Sequence, residues 1–94
     1  MRRRCAMRVR RSFTREEAKM IGSALGVEWD RNPFDVEQLR AGLDVELEHG
    51  RQDPTTDVTH DDPMLTGKIA LAHLRELPDY YTRLSRMERE GAAR

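Results

Sequence analysis

The sequence predicts an all-α fold, a small bundle of three to four short helices. Capping residues stand before segments whose apolar residues recur every three or four positions, which is the period of an amphipathic helix. No segment alternates polar and apolar residues as a strand would. The chain has 94 residues and a hydrophobic share of 37%, which is enough for one modest core and a single domain.

The first helix is predicted from a capping box at Thr14–Glu17. In this motif the threonine hydroxyl accepts from the backbone N–H three residues on, and the glutamate carboxylate accepts from the threonine N–H. We therefore expect the helix to begin at Arg15 and to close at Gly26, which supplies a left-handed residue at low cost. Trp29 in the following connection is expected to anchor that segment to the core.

The second helix is predicted from a similar pattern at Asp35–Gln38. It should run from Val36 to about His49, with Gly50 as its stop. A polar loop rich in turn-forming residues follows at 51–62, and we expect it either to be ordered by its own hydrogen bonds or to be functional.

The last two helices are predicted on either side of Pro78. The third should run from Pro63 to about Leu77, and because its apolar residues cover more than one face, we expect it to be the central helix. The fourth should start after Asp79 and end near Gly91. Glycines inside the predicted helices are expected to mark close packing between helices.

Basic residues are concentrated at the N-terminus. Six arginines lie within the first eleven residues, which leaves 11 basic against 17 acidic side chains in the remainder of a chain whose formal net charge is zero. We interpret residues 1–12 as a disordered basic arm and 13–91 as the helical domain, with Met7 as an alternative start to Met1. Nucleic acid is not an expected partner, except nonspecifically through this arm.

The remaining composition favours a cytoplasmic protein. The lone cysteine, Cys5, has no partner for an intramolecular disulfide. No apolar run approaches the roughly 18 residues that a membrane span needs, so no membrane partner is expected. Ser23 and Ser85 fall within predicted helices without the sharp turn that exposes a nucleophile, so the sequence gives no catalytic residue and enzymatic activity is not the favoured interpretation.

One cluster of residues is a candidate metal site. Glu46 and His49 lie three residues apart at the end of the second helix, and His73 and Glu76 have the same spacing at the end of the third. Helical bundles bind divalent metals with Glu and His pairs from facing helices, and zinc or iron would suit these ligands. The alternative is that the histidines are ordinary last-turn residues that interact with the helix dipole, while Glu76 pairs with an arginine.

The aspartates of the loop at 51–62 allow a second metal hypothesis, a calcium site. The pattern departs from an EF-hand, because Val58 stands where the sharp turn needs glycine and Met64 where the bidentate glutamate belongs. Capping and turn formation are the alternative roles of these aspartates.

Four segments resemble a family of small uncharacterised bacterial proteins, a domain of unknown function. They are Phe13-Thr-Arg-Glu-Glu-Ala-Lys, Gly42-Leu-Asp-Val-Glu-Leu-Glu-His-Gly50, Asp61-Asp-Pro and Thr66-Gly-Lys-Ile-Ala-Leu-Ala-His-Leu-Arg-Glu-Leu-Pro-Asp-Tyr-Tyr81. The resemblance runs from about Phe13 to Glu88 and implies a compact helical domain without naming an activity.

Together these observations predict a small helical binding or interaction module that binds a protein partner or forms a homo-oligomer. The alternative is a divalent-metal-binding protein or metalloenzyme that uses Glu46, His49, His73 and Glu76.

Overall fold

The structure, a computed structural model, describes residues 12–92. Within this range the chain forms four α-helices and no strand, which confirms the all-α prediction. The helices are α1 (Arg15–Ala24), α2 (Val36–Gln52), α3 (Pro63–Glu76) and α4 (Tyr80–Ala92). None of them is long and apolar enough to span a membrane. Except for Ser12, the predicted basic arm lies outside the described residues, and the domain limits of 13–91 stay a prediction.

The start of α1 is held by the predicted capping box. The Thr14 hydroxyl accepts from Glu17 N–H at 3.1 Å, and Glu17 Oε1 accepts from Thr14 N–H at 2.9 Å. The helix ends at Ala24, and Gly26 shortly after it has a left-handed φ of 97°. Just before the box, Phe13 is buried in the core, and its N–H donates to Asp44 Oδ1 of α2 at 2.7 Å. The chain is thus fastened to α2 before α1 begins.

The second helix begins at Val36 after the cap Asp35, as predicted, but its capping box is incomplete and its C-terminal end differs from the prediction. Asp35 caps it by accepting from Gln38 N–H at 3.0 Å, but the Gln38 side chain donates to Thr82 of α4 instead of completing a capping box. At the other end, α2 continues through Gly50 to Gln52. A Cβ at Gly50 would lie 2.9 Å from Asp57 Oδ1, so this glycine gives room for the following loop and is not the helix stop.

The loop, now 53–62, is ordered by its own hydrogen bonds. Asp53 Oδ1 accepts from the N–H and the hydroxyl of Thr55, and Asp57 Oδ1 accepts from His60 N–H at 2.9 Å. An ion pair of 3.0 Å between Arg51 and Asp61 ties the loop to the last turn of α2. Of the two alternatives left open for this loop, order through its own hydrogen bonds is confirmed.

The core lies on α2, which makes the most extensive contacts with the other helices. The expectation that α3 would be central is therefore wrong. The α3 residues that face the core are Thr66, Gly67, Ala70, Leu71 and Leu74. The opposite face of α3 carries Leu65, 42% exposed, half-buried Ile69 and exposed Ala72, and none of the other described helices covers it.

Three glycines bring side chains close to helix backbones, as predicted. A Cβ at Gly22 would lie 2.3 Å from the ring of Trp29, one at Gly67 would lie 2.7 Å from Ile21, and one at Gly42 would lie 2.5 Å from the ring of Tyr81. Such distances are shorter than van der Waals contact, so a larger residue forces these neighbours to move. The contact at Gly42 is the one that lets α4 lie against α2.

Substitution Gly42→Ala is expected to lower the free energy of unfolding by about 2 kcal/mol, because displacing the buried Tyr81 ring outweighs the better helix propensity of alanine. Urea unfolding followed by circular dichroism measures this effect. The control is Gly91→Ala in α4, where a Cβ would meet nothing within 4 Å. That change should be neutral or stabilise by up to about 1 kcal/mol. Equal effects at both positions would contradict the close packing at Gly42.

Candidate functional site

A buried carboxylate on α2 is the centre of the candidate site. Glu46 is 8% exposed and lies among the core residues of α2. The Tyr81 hydroxyl of α4 donates to Glu46 Oε2 at 2.8 Å, and Tyr81 itself is 4% exposed. A buried carboxylate without hydrogen-bond donors is costly, so this bond accounts for its place in the interior.

His73 of α3 completes the group. Its Nδ1 lies 3.2 Å from Glu46 Oε2 and 3.1 Å from the Tyr81 hydroxyl oxygen. Because the single hydroxyl proton of Tyr81 points to the carboxylate, an N–H at Nδ1 is the arrangement that satisfies both oxygens. In this tautomer the free lone pair lies on Nε2. One carboxylate thus joins three helices through two donors.

Aromatic contacts fix the orientation of the imidazole. The ring of Tyr80 stacks on His73 with centroids 4.4 Å apart and an interplanar angle of 3°. Tyr80 and Tyr81 meet edge to face at 4.9 Å. The adjacent tyrosines therefore have different roles: Tyr81 is buried, and half-buried Tyr80 covers the imidazole.

The environment of Tyr81 defines its chemistry. Burial raises the pKa of its phenol, and the hydrogen bond to Glu46 and the carboxylate charge raise it further. At neutral pH Tyr81 is therefore a fixed hydrogen-bond donor and is not available as a base. Histidines that act as general bases or bind metals are also often oriented by a carboxylate that accepts a hydrogen bond from Nδ1.

Of the four predicted metal ligands, the structure brings two into contact. Glu46 and His73 meet, whereas His49 is exposed at the end of α2 and Glu76 is exposed on the outer face of α3. In the part of the chain that the structure describes, no three His, Cys, Asp or Glu side chains are grouped to hold a metal ion. The four-residue metal site stays a prediction, for which a zinc or ferrous-iron titration read by thermal shift is the direct test.

A pocket of about 370 Å³ opens beside the buried carboxylate, between the last turns of α2 and the loop 53–62. Glu46 and His49 both contribute to its lining, so these two predicted residues share a cavity although they do not touch. The lining residues are Glu46, His49, Gly50, Gln52, Asp53, Thr56, Val58, Thr59 and Ile69.

Tyr81 is the site residue that the sequence prediction missed. It is 35 residues from Glu46 in the chain, and its role depends on the packing of α4 at Gly42. One signal was available: a carboxylate within a helical apolar stripe needs a donor, and tyrosine is a residue that can be buried while donating.

Comparison with known proteins identifies a family without an assigned activity. The model of a family described as "Protein of unknown function (DUF5661)" matches residues 18–90. No curated protein and no solved structure matches the chain. The family match supports the resemblance found in the sequence, and any function must be inferred from the structure.

The raised pKa of Tyr81 can be tested by a pH titration of the Tyr80→Phe variant. In this variant Tyr81 is the sole tyrosine, so its ionisation can be observed alone. Its folded state keeps the phenol protonated, while the unfolded chain ionises near the ordinary pKa of 10.0. This contribution to stability is therefore complete below pH 10 and decreases as the pH rises further. Absorbance at 295 nm reports the ionised phenol, and the helical circular dichroism signal reports the fold. With rising pH, the absorbance should increase only as the helical signal is lost.

The control is the same protein unfolded in urea, which should ionise near pH 10. A rise in absorbance at that pH with the helical signal intact would contradict the buried hydrogen bond between Tyr81 and Glu46.

Proposed function

The chain belongs to the DUF5661 family, and we propose that it is a protein-interaction module that pairs with a second copy of itself through the outer face of α3. The observation that carries this proposal is the uncovered apolar face formed by Leu65, Ile69 and Ala72. A helix that is apolar on both sides is normally buried on both sides. In α3, only one side is covered by the other described helices.

The charges around this face favour a second copy over an unrelated partner. Lys68, Ala72 and Glu76 are exposed and follow one another at intervals of four residues, so they form one row along the helix. Among the described residues, neither Lys68 nor Glu76 has an ion-pair partner. The small alanine at the middle of the row allows another helix to approach closely.

Two copies of this row match each other when the helices run antiparallel. A two-fold axis at Ala72 places Lys68 of each copy opposite Glu76 of the other, which gives two identical ion pairs. The antiparallel arrangement also opposes the two helix dipoles favourably. In the same register Ile69 lies next to the axis opposite Arg75 of the other copy, and Leu65 lies opposite the C-terminal end of the other copy's α3. The surface is therefore self-complementary in charge.

Charge reversal with rescue tests the pairing. We expect the single variants Lys68→Glu and Glu76→Lys each to raise the dimer dissociation constant about tenfold, because each replaces two attractions by two repulsions. The double variant should recover the affinity of the original protein. Sedimentation equilibrium over a range of protein concentrations measures all four proteins.

The matched control is Lys19→Glu on α1, an exposed lysine far from this row in sequence. It should leave the dissociation constant unchanged. A monomer at every concentration tested, or a double variant that fails to recover, would overturn the proposed pairing. A third variant, Leu65→Glu, should weaken pairing by introducing charge into the apolar face, and it supplies a monomer for other measurements.

A further inference from the structure

The pocket between α2 and the loop 53–62 has a consistent electrostatic character. Glu46 and Asp53 both line it. Hydrogen bonds from Thr55 lower the pKa of Asp53, so this carboxylate is ionised at neutral pH. The C-terminal end of α2, at Gln52, adds the partial negative charge of a helix dipole. Three independent sources of negative potential therefore converge on one cavity.

The nearby cations do not cancel this potential. Arg51 does not line the pocket, and its guanidinium pairs with Asp61 at 3.0 Å. No lysine or arginine is among the lining residues, and the histidine among them, His49, is exposed to solvent. The adjoining groove along α2 adds the carboxylates of Glu48 and Glu88 to its lining, while Asp44, also in the lining, is paired with Arg40 at 3.0 Å. The whole approach to the cavity thus favours a positively charged ligand.

The walls of the pocket indicate what kind of cation fits. Val58 and Ile69 supply apolar surface, and Val58 is 69% exposed although it belongs to an ordered loop. The volume of about 370 Å³ is in the range of small-molecule sites and is larger than a bare ion needs. Within residues 12–92, no three carboxylate, histidine or cysteine side chains are grouped as metal ligands. These features together favour an organic cation.

We propose that this pocket binds an ammonium or guanidinium group on an aliphatic stem. The cationic head lies against Glu46 and Asp53, and the stem contacts Val58 and Ile69. The site goes beyond the proposed pairing of α3, because its charged groups come from α2 and the loop; Ile69 is the residue that the pocket and the pairing face share. Glu46 then has two roles: it accepts hydrogen bonds from Tyr81 and His73 in the interior, and its charge attracts the ligand in the pocket.

The probe for this proposal is n-butylammonium, compared with n-butanol and butyrate, which share its stem but are neutral and anionic. Titrations are followed by amide chemical shifts of ¹⁵N-labelled full-length protein. We expect n-butylammonium to shift the amides of Gly50, Thr56 and Thr59, with an affinity in the millimolar range usual for so small a ligand. n-Butanol and butyrate should bind at least about tenfold more weakly because they lack the charge interaction.

Two variants assign the charges. Glu46→Gln keeps an acceptor for Tyr81 but removes the negative charge, and it should weaken n-butylammonium binding about tenfold. Asp53→Asn is the second variant. Because Asp53 is exposed and lies outside the core, this variant still tests the proposal if Glu46→Gln fails to fold. The matched control is Glu28→Gln, which removes an exposed charge between α1 and α2 and should leave binding unchanged.

Equal binding of n-butanol and n-butylammonium, tighter binding of butyrate, or unchanged binding in both pocket variants would overturn the proposal. A lysine blocked at both ends identifies the source of the cation. If the blocked lysine binds as tightly as n-butylammonium, the natural ligand is a side chain of a peptide. If it binds more weakly, the natural ligand is a free amine. Either result supports a cation site. All titrations are repeated on Leu65→Glu protein, so that failure of the pairing and failure of the pocket are observed separately.

Discussion

The contact between Tyr81 and Glu46 is the constraint on which the arrangement of the last three helices depends. A carboxylate in the interior requires donors, and the two that it finds come from different helices, Tyr81 on α4 and His73 on α3. The short helix α4 has few other buried residues, Tyr81 being the one fully buried side chain in it. Its position on α2 is therefore set by a polar contact and by the space at Gly42, more than by a broad apolar interface.

This dependence has an energetic cost that the surrounding structure must offset. Removing one hydrogen-bond donor from a buried carboxylate leaves a poorly solvated charge, which lowers the stability of the fold. Replacing the carboxylate and its donors together by apolar side chains would avoid that cost. The chain keeps the polar group, and Glu46 also lines a pocket. If the pocket binds a cation as proposed, the same side chain, Glu46, is needed both for the buried hydrogen bonds and for the ligand. That double use explains why a carboxylate is kept in the interior.

The sequence predicted the local features well, because they depend on neighbouring residues. The helix starts at Arg15 and Pro63 follow from side chains that bond the backbone two or three residues away, at Thr14 and Asp62. Features that depend on distant residues were missed. The local pattern predicts Gly50 as a helix stop, whereas the close approach of Asp57 and Thr59 explains why a glycine lies inside α2.

Of each pair of candidate ligands predicted from the sequence, only one lies at the buried contact, and the reason is geometric. Three residues advance a helix by about 300°, so residues at this spacing point about 60° apart. That rotation carries His49 from the buried position of Glu46 to the rim of the pocket, and it carries Glu76 from the interface at His73 to the exposed face of α3. Residue types and spacing identified the right helix ends, while the depth of each side chain depended on the packing of its neighbours.

The anchoring of Phe13 bears on where this domain can be cut. The family match begins at residue 18, yet the ring of Phe13 fills part of the core, and its amide is bonded to Asp44 of α2. Thr14, the cap of α1, also precedes the matched region. A fragment trimmed to that region would lose a core ring and a helix cap together, so limited proteolysis should find its first stable boundary upstream of Phe13 and not at the edge of the family match.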